Sequence, residues 1–231
     1  MIKYIVPTNI DDRVLARAAK ILGEGGIAAI PTDTSWSIVC SMNSREGIKR
    51  LKAISKERDE RLFTLMCKDI SQFGELCSLD NTRFRLIKRL APGPYVFVLK
   101  TLHGTEKVLG LRRHEIGIRL PDYPVSSALI NVLGCPLYGI TAKRSMANTD
   151  AGLYDDDDAT DSGGQDNEDL AMAAFFKEET LFDGGWELED IPGLDLVLDP
   201  GEDQSRLFST VLDISGEEVQ VLRSGAGLWP V

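Results

Sequence analysis

Residues 27–42, IAAIPTDTSWSIVCSM, contain two short apolar runs on either side of a polar turn. The first run, IAAI, stops at Pro31, which has no backbone N–H to extend a sheet. The second run follows Trp36 and has the same apolar character. Short apolar runs bounded by turn residues are typical of buried strands. This segment therefore predicts a strand, a turn containing Thr32–Thr34 and a second strand.

Helical patterns surround this strand pair. Asp11 and Asp12 precede RVLARAAKILGEGG, an amphipathic stretch that a glycine pair closes. Residues 44–54, SREGIKRLKAI, repeat apolar residues at helical spacing. Further helices are predicted for SLDNTRFRLIKRL (78–90), PVSSALINVLG (124–134) and LAMAAFFKEETLF (170–182).

The remaining apolar runs predict strands that are interspersed with these helices. They are FTLMC (63–67), YVFVLK (95–100), EIGIRLP (115–121), PLYGITA (136–142), GLDLVLDPG (193–201), LFSTVLDIS (207–215) and EVQVLRSG (218–225). Strands and helices mix without strict alternation, which favours an α/β fold whose sheet contains some antiparallel pairs.

The charge is distributed unevenly along the 231 residues. Residues 1–150 carry a net +8, residues 151–203 a net −17 and residues 204–231 a net −1, giving −10 overall. The length fits one domain, and we predict a single domain over 1–231 with an acidic loop insertion at 150–169, DAGLYDDDDATDSGGQDNED. The basic body remains compatible with anionic ligands despite the negative total.

Several classes of protein are disfavoured. The four cysteines include no C-x-x-C pair and there are two histidines, so we expect no structural metal. Reduced, buried thiols are typical of cytoplasmic proteins. MIKYIVPTNIDD at the N-terminus lacks a long apolar run, so we expect no signal peptide, and no run approaches the roughly 20 apolar residues of a membrane span. We expect a cytoplasmic protein without a membrane partner.

Hydroxyl and cationic side chains recur at the predicted strand ends and turns. Such groups recognise phosphate and carboxylate. The candidates are Thr32, Thr34, Lys56, Arg58, Arg119, Thr141, Lys143, Ser209, Thr210 and Arg223. Each also has an ordinary structural explanation: a solvated loop for Lys56 and Arg58, turn or strand hydroxyls, and a salt bridge for Arg119. Arg119 is the most unusual, because an arginine within the apolar run IGIRLP needs a partner.

The order of the segments resembles that of the YrdC-like superfamily, which includes threonylcarbamoyl-AMP synthases and YciO-type relatives. The resemblance runs through IPTDTSWSIVC, LKAISKERDERLFTLMCKD, APGPYVFVL, IGIRLPDYP, CPLYGITAK, FSTVLDIS and VLRSGAG. FTLMC with Lys68-Asp69, the TDTSW turn and YVFVLK look closest to the YciO branch. Several short motifs in order are a more specific signal than any one of them.

The resemblance implies a twisted mixed sheet with flanking helices and a concave basic face. It implies a nucleotidyltransferase that converts L-threonine, bicarbonate and ATP, with Mg²⁺ as counter-ion, into threonylcarbamoyl-AMP and pyrophosphate for tRNA modification. By this resemblance Thr32, Thr34 and Arg119 bind the amino acid. By the same resemblance, the residues that bind the nucleotide and its phosphates are Lys56, Arg58, Thr141, Lys143, Ser209, Thr210 and Arg223.

The chain departs from the synthase pattern at three places in the predicted pocket. Synthases carry Ser-x-Asn where this chain has Thr141-Ala142-Lys143, Tyr-Gly in place of Trp36-Ser37, and often His in place of Cys67. Lysine can neutralise phosphate but cannot accept a hydrogen bond as asparagine does. Two hypotheses therefore stay open: an enzyme of the synthase type, and a non-catalytic module that binds double-stranded RNA or tRNA through the same cleft.

Overall fold

One large sheet forms the centre of the computed structural model, which describes residues 1–57, 59–147 and 180–229. Its strands are β1 (Ile2–Tyr4), β2 (Ala28–Ile30), β3 (Ser37–Ser41), β4 (Thr64–Met66), β5 (Tyr95–Lys100), β6 (Glu115–Arg119), β7 (Leu137–Thr141), β8 (Leu196–Asp199), β9 (Thr210–Asp213) and β10 (Gln220–Arg223). They lie in the order β1-β8-β2-β3-β7-β4-β6-β5-β9-β10. Neighbours in space are therefore often distant in sequence.

The sheet is mixed, which confirms the predicted α/β class with antiparallel pairs. β8 runs parallel to both β1 and β2, β4 parallel to β6, and β5 parallel to β9. The pairs β2–β3, β3–β7, β7–β4, β6–β5 and β9–β10 are antiparallel.

The helices are α1 (Asp12–Gly23), α2 (Arg45–Ser55), α3 (Ile70–Leu76), α4 (Asn81–Leu90), α5 (Thr105–Leu109) and α6 (Pro124–Leu133). Capping side chains fix where α1 and α2 begin. The Asp11 carboxylate accepts a hydrogen bond from the Arg13 N–H at 2.8 Å, and the Ser44 hydroxyl accepts one from Gly47 at 3.0 Å. The predicted helices around residues 12–25, 44–54, 78–90 and 124–134 are thus confirmed.

The helices cover both faces of the sheet. α1 and α6 pack on one face, where Leu15 and Leu129 join a cluster with Ile30 and Val39. The larger cluster lies on the other face and contains residues of α2, α3, α4 and α5 together with Trp36, Phe97 and Tyr138. Because side chains alternate along a strand, each strand residue belongs to one face or the other.

Some elements were not predicted from the sequence. They are β1 with three residues, α5 with five and α3 with seven, all too short to show a clear period. The acidic loop at 150–169 and most of the helix predicted at 170–182 lie outside the described residues, and the single-domain organisation remains a prediction. Among the residues described, none of the helices combines the length and apolar character that a bilayer span requires.

Candidate anion-binding site

Arg119 lies at the end of β6 and is only 4% exposed. Ile116 and Ile118 of the same strand belong to the larger core cluster, so the alternation directs Arg119 to the opposite face. Its Nη1 donates to the Thr34 hydroxyl at 3.1 Å and its Nη2 to Asp33 Oδ1. The partner that the sequence required for this arginine is therefore Asp33, in the turn after β2.

The turn that carries Asp33 is held by its own hydroxyl groups. The Thr32 hydroxyl donates to the Ser35 carbonyl at 2.6 Å and accepts from the Thr34 and Ser35 N–H groups, both at 3.3 Å. It lies 3.2 Å from the Thr34 hydroxyl. Thr32 and Thr34 are each 2% exposed. The structure thus brings Thr32, Thr34 and Arg119 together, as predicted, in a buried polar network.

Arg223 and the residues before β9 form the next part of the site. The Arg223 Nε donates to the Ser209 carbonyl at 2.8 Å, and its guanidinium lies 5.1 Å from the centre of the Phe208 ring. The Leu207 N–H donates to the Thr34 carbonyl at 3.2 Å, which joins this segment to the turn after β2. Burial and the neighbouring Arg119 lower the pKa of Arg223 to about 10.

The Thr210 hydroxyl forms hydrogen bonds with the backbone of the C-terminal segment. Its Oγ1 donates to the Gly227 carbonyl at 2.5 Å and accepts from the Gly225 N–H at 2.9 Å. These bonds fix the segment that follows Arg223. Thr210 therefore positions the arginine, and its predicted contact with a nucleotide stays a prediction.

Lys143 follows β7 and is 3% exposed. Burial is the main cause that lowers its pKa to about 7; Arg223 lowers it further and Glu57 opposes the shift. Burial also raises the pKa of Glu57, although Lys143 acts against this. Thr141, on the same strand end, pairs with Ser37 of β3 and is partly exposed. Lys143 thus lies within electrostatic reach of both Arg223 and Glu57.

Lys56 is exposed and ends α2 with a φ of 55°. Among the residues described, it is the one non-glycine residue with a positive φ. This left-handed conformation is unfavourable for a side chain with a Cβ. Arg58, the other half of the predicted Lys-x-Arg pair, lies outside the described residues.

Arg119, Lys143 and Arg223 constitute what we call the cation cluster. Arg223 perturbs the pKa of Lys143, and Arg119 perturbs that of Arg223, so the three charges lie within reach of one another. Burial disfavours their charged forms, and it lowers the pKa of Arg119 even though Asp33 opposes this. Electrostatic attraction is strong where water is scarce, so a bound anion would relieve the repulsion among these groups.

Two of the predicted departures from the synthase pattern have their side chains in the core. Trp36 and Cys67, both fully buried, belong to the core cluster on the opposite face of the sheet. The Trp36 indole donates to the Asp183 carbonyl at 3.0 Å. Alternation along β3 and β4 turns these two side chains away from Arg119, and their effect on the pocket stays a prediction. Ser37 and Lys143 remain as departures at the site.

Cys40, Cys67 and Cys77 are buried core residues, and Cys135 is partly buried. All four are free thiols, and burial raises the pKa of Cys40 and of Cys77 to about 12, which keeps them protonated and unreactive. Within the described ranges, no three His, Cys, Asp or Glu side chains group together as metal ligands would.

Sequence reasoning missed the two acids of the site. Asp33 lies within the predicted turn and Glu57 follows the predicted helix at 44–54, and the structure places them beside Arg119 and Lys143. The sequence did contain a signal for these acids, because an arginine within a buried strand needs a carboxylate partner. That signal did not indicate which of the 36 acidic residues would be the partner.

A family model for Sua5, YciO and YrdC proteins, described as telomere recombination, matches residues 20–162. The chain belongs to this family. The resemblance inferred from the ordered motifs is thereby confirmed.

Relatives in this family include proteins with and without a known activity. The uncharacterised protein YciO of Escherichia coli K12 is 36% identical over 135 residues, which cover 58% of this chain and 66% of that protein, just under two thirds of its length. A threonylcarbamoyl-AMP synthase of Chromobacterium violaceum is 28% identical over 141 residues, covering 61% of this chain and 73% of that protein.

Solved structures agree with the fold. The crystal structure of E. coli YciO matches with a TM-score of 0.71 and 27% identity, covering 99% of this chain and 97% of that one. P. abyssi Sua5, crystallised with L-threonine, matches with a TM-score of 0.74 over 97% of this chain and 57% of that one. At 19% identity the second match supports the fold alone.

Proposed function

We propose that the protein binds ATP and L-threonine at the cation cluster and forms an acyl adenylate of the threonylcarbamoyl-AMP type. Support comes from the family and from a relative named as a threonylcarbamoyl-AMP synthase. The Sua5 protein that shares the fold was crystallised with L-threonine. The observation that carries the proposal is the burial of Arg119 and Lys143, 4% and 3% exposed, beside Arg223. Buried cations in a polar network suit a small anion that can enter and be enclosed.

The roles follow from position. Arg119, with Thr32 and Thr34, would hold the amino-acid carboxylate, because a guanidinium matches a carboxylate in geometry and charge. Lys143 and Arg223 would hold phosphates, assisted by Lys56, Arg58 and the hydroxyls of Thr141, Ser209 and Thr210.

The proposed reaction needs positive charge near the α-phosphate of ATP. In the overall reaction, L-threonine, bicarbonate and ATP give threonylcarbamoyl-AMP, pyrophosphate and water. Negative charge accumulates around the α-phosphate as pyrophosphate leaves, and cations already in place stabilise that state more than the ground state. Mg²⁺ would enter with ATP as counter-ion to the polyphosphate. The product would then serve tRNA modification, which we expect to occur in the cytoplasm.

Burial also bears on the alternative of duplex RNA in the same cleft. RNA duplexes are bound mainly through phosphates and 2′-hydroxyls, which requires side chains that reach the surface. Arg119 and Lys143 do not extend to the surface. A small ligand therefore suits the site better than a duplex.

The test is pyrophosphate release from ATP in the presence of L-threonine, bicarbonate and Mg²⁺. We expect release that depends on both threonine and bicarbonate, with strong loss in Arg223→Met and Lys56→Ala. Lys20→Ala, on the exposed face of α1, is the control and should match the wild type. Release that ignores threonine, or that survives in Arg223→Met, would argue against the proposal.

A further inference from the structure

The ion pair between Asp33 and Arg119 leaves part of its hydrogen-bonding capacity unused. The two side chains are 12% and 5% exposed and share one contact, from Arg119 Nη2 to Asp33 Oδ1. In the part of the chain that the structure describes, Asp33 Oδ2 and Arg119 Nε are buried without a hydrogen-bond partner. Buried charged groups kept for stability alone normally satisfy their donors and acceptors. Here one oxygen and one N–H remain unsatisfied.

We propose that Asp33 is an internal substitute for a ligand carboxylate, which replaces it on Arg119 when the site is filled. The ligand carboxylate would take the Nη2 that Asp33 releases and the Nε that is now unsatisfied, a two-point contact that Asp33 does not make. The Thr34 hydroxyl would keep its 3.1 Å bond to Nη1. The inference rests on the proposed function, since the carboxylate is that of the amino-acid substrate, and it adds the residue that controls its entry.

The exchange keeps Arg119 compensated throughout. Arg119 is compensated by Asp33 before binding and by the ligand afterwards, so the buried cation is never left alone, which would be costly. Arg223 lies within electrostatic reach of Arg119 and favours the additional negative charge. A ligand without a carboxylate gains nothing at Nε and cannot displace Asp33. Asp33 therefore lowers the affinity of ligands that occupy Arg119, and a ligand without a carboxylate leaves the ion pair in place.

A different role for Asp33 predicts the opposite result. If Asp33 Oδ2 instead held the ammonium group of the amino acid, removal of its charge would weaken binding. As a competitor for Arg119, Asp33 weakens binding itself, and its removal strengthens it.

The experiment measures L-threonine binding by calorimetry for the wild type, Asp33→Asn and Asp33→Ala. Threoninol, which has a hydroxymethyl group in place of the carboxylate, is the matched ligand, and Asp122→Asn, an exposed acid outside the cation cluster, is the matched variant. We expect severalfold tighter threonine binding in both Asp33 variants, with no change for threoninol or for Asp122→Asn. Equal or weaker threonine binding in the Asp33 variants would overturn the inference.

Stability gives a second measurement that does not need threonine. Asp33→Ala leaves Arg119 without its counter-ion, so acetate should raise the thermal midpoint of this variant above its value in chloride at equal ionic strength. The wild type should show no such difference. A variant that acetate stabilises no better than chloride counts against the inference, whether or not it folds in chloride.

These outcomes separate the two proposals. Threonine binding that is identical in all variants keeps the proposed function and overturns the role of Asp33. Acetate rescue of Asp33→Ala without threonine binding to any form keeps the carboxylate site and overturns the amino-acid substrate.

Discussion

At the scale of single residues, Arg119 depends on Asp33 for its charge compensation. Arg119→Met would leave a carboxylate in surroundings that are largely buried, with an expected loss of about 3–5 kcal/mol in the free energy of unfolding. The double variant Arg119→Met/Asp33→Asn removes both charges and should recover part of that loss. Urea unfolding measures both. A double variant no more stable than the single one would contradict the pairing, and Lys20→Ala, in an exposed pair, should change little.

The charge of Lys143 changes in the physiological range, because its pKa is lowered to about 7. Below that pH the ammonium attracts phosphate, and above it the neutral amine does not. ATP affinity should therefore fall from pH 6 to pH 8, by about tenfold if one charge-assisted hydrogen bond is lost. Equilibrium binding at both pH values checks this. Lys143→Met should bind weakly with little pH dependence beyond that of ATP itself, and an unchanged pH profile in that variant would refute the assignment.

The same shift affects stability with the opposite sign. The folded pKa of Lys143 lies below its ordinary value of 10.5, so between about pH 7 and 10.5 the unfolded chain binds more protons. This residue therefore makes the free energy of unfolding rise with pH in that window. Maximum stability and maximum ATP affinity should consequently occur at different pH values.

Lys56 holds a left-handed backbone conformation that glycine adopts without strain. Lys56→Gly should be more stable than Lys56→Ala, by about 1 kcal/mol, because both lack the amine and differ only in the Cβ. Thermal or urea unfolding compares them. If alanine proves equally stable, the conformation at this position is not strained. Under the proposed function both variants should lose ATP affinity, which would explain why lysine is kept at a position that favours glycine.

At the scale of elements, the segment after β10 is packed tightly against the start of β9. A Cβ at Gly225 would lie 2.3 Å from the Phe208 carbonyl oxygen, whereas one at Gly74, in α3, would meet nothing within 4 Å. Gly225→Ala should cost about 1–3 kcal/mol in the free energy of unfolding and misplace Arg223. Gly74→Ala should be neutral or slightly stabilising. Urea unfolding with ATP titration compares the pair, and a Gly225→Ala protein equal to the wild type in both would be evidence against this packing.

The helices and strands also show which parts of the fold can be predicted from sequence patterns. β5 has the same bounds as the run YVFVLK, and α1 begins at its predicted cap, because period and capping are local properties. α5 has five residues and too few turns to display a period. The partner of Arg119 could not be read from the sequence, since Asp33 and Arg119 meet only through the pairing of distant strands. Family resemblance supplied the site residues, and the structure supplied their contacts.

At the scale of the whole molecule, the order of the strands assembles the site. β5 pairs with β9 although more than a hundred residues separate them in sequence, and this pairing helps bring Arg223 towards Arg119. In the strand order, β5 and β9 lie on one side of β6. The turn after β2 and the end of β7 complete the site from the other side of β6. The cation cluster therefore requires the folded sheet, and a ligand that bridges it would stabilise the fold as a unit.

This coupling gives a prediction for the whole protein. Saturation with Mg-ATP and L-threonine at about 100 times their dissociation constants should raise the free energy of unfolding by about 2.7 kcal/mol for each independent ligand, because both bind only the folded chain. Unfolding in urea, with and without ligands, measures the gain. Arg223→Met should lose most of the ATP contribution while keeping that of threonine, since Arg119 and its turn remain. Loss of both contributions in that variant would mean that the two ligands bind as one unit, and undiminished stabilisation by ATP would place the phosphates away from Arg223.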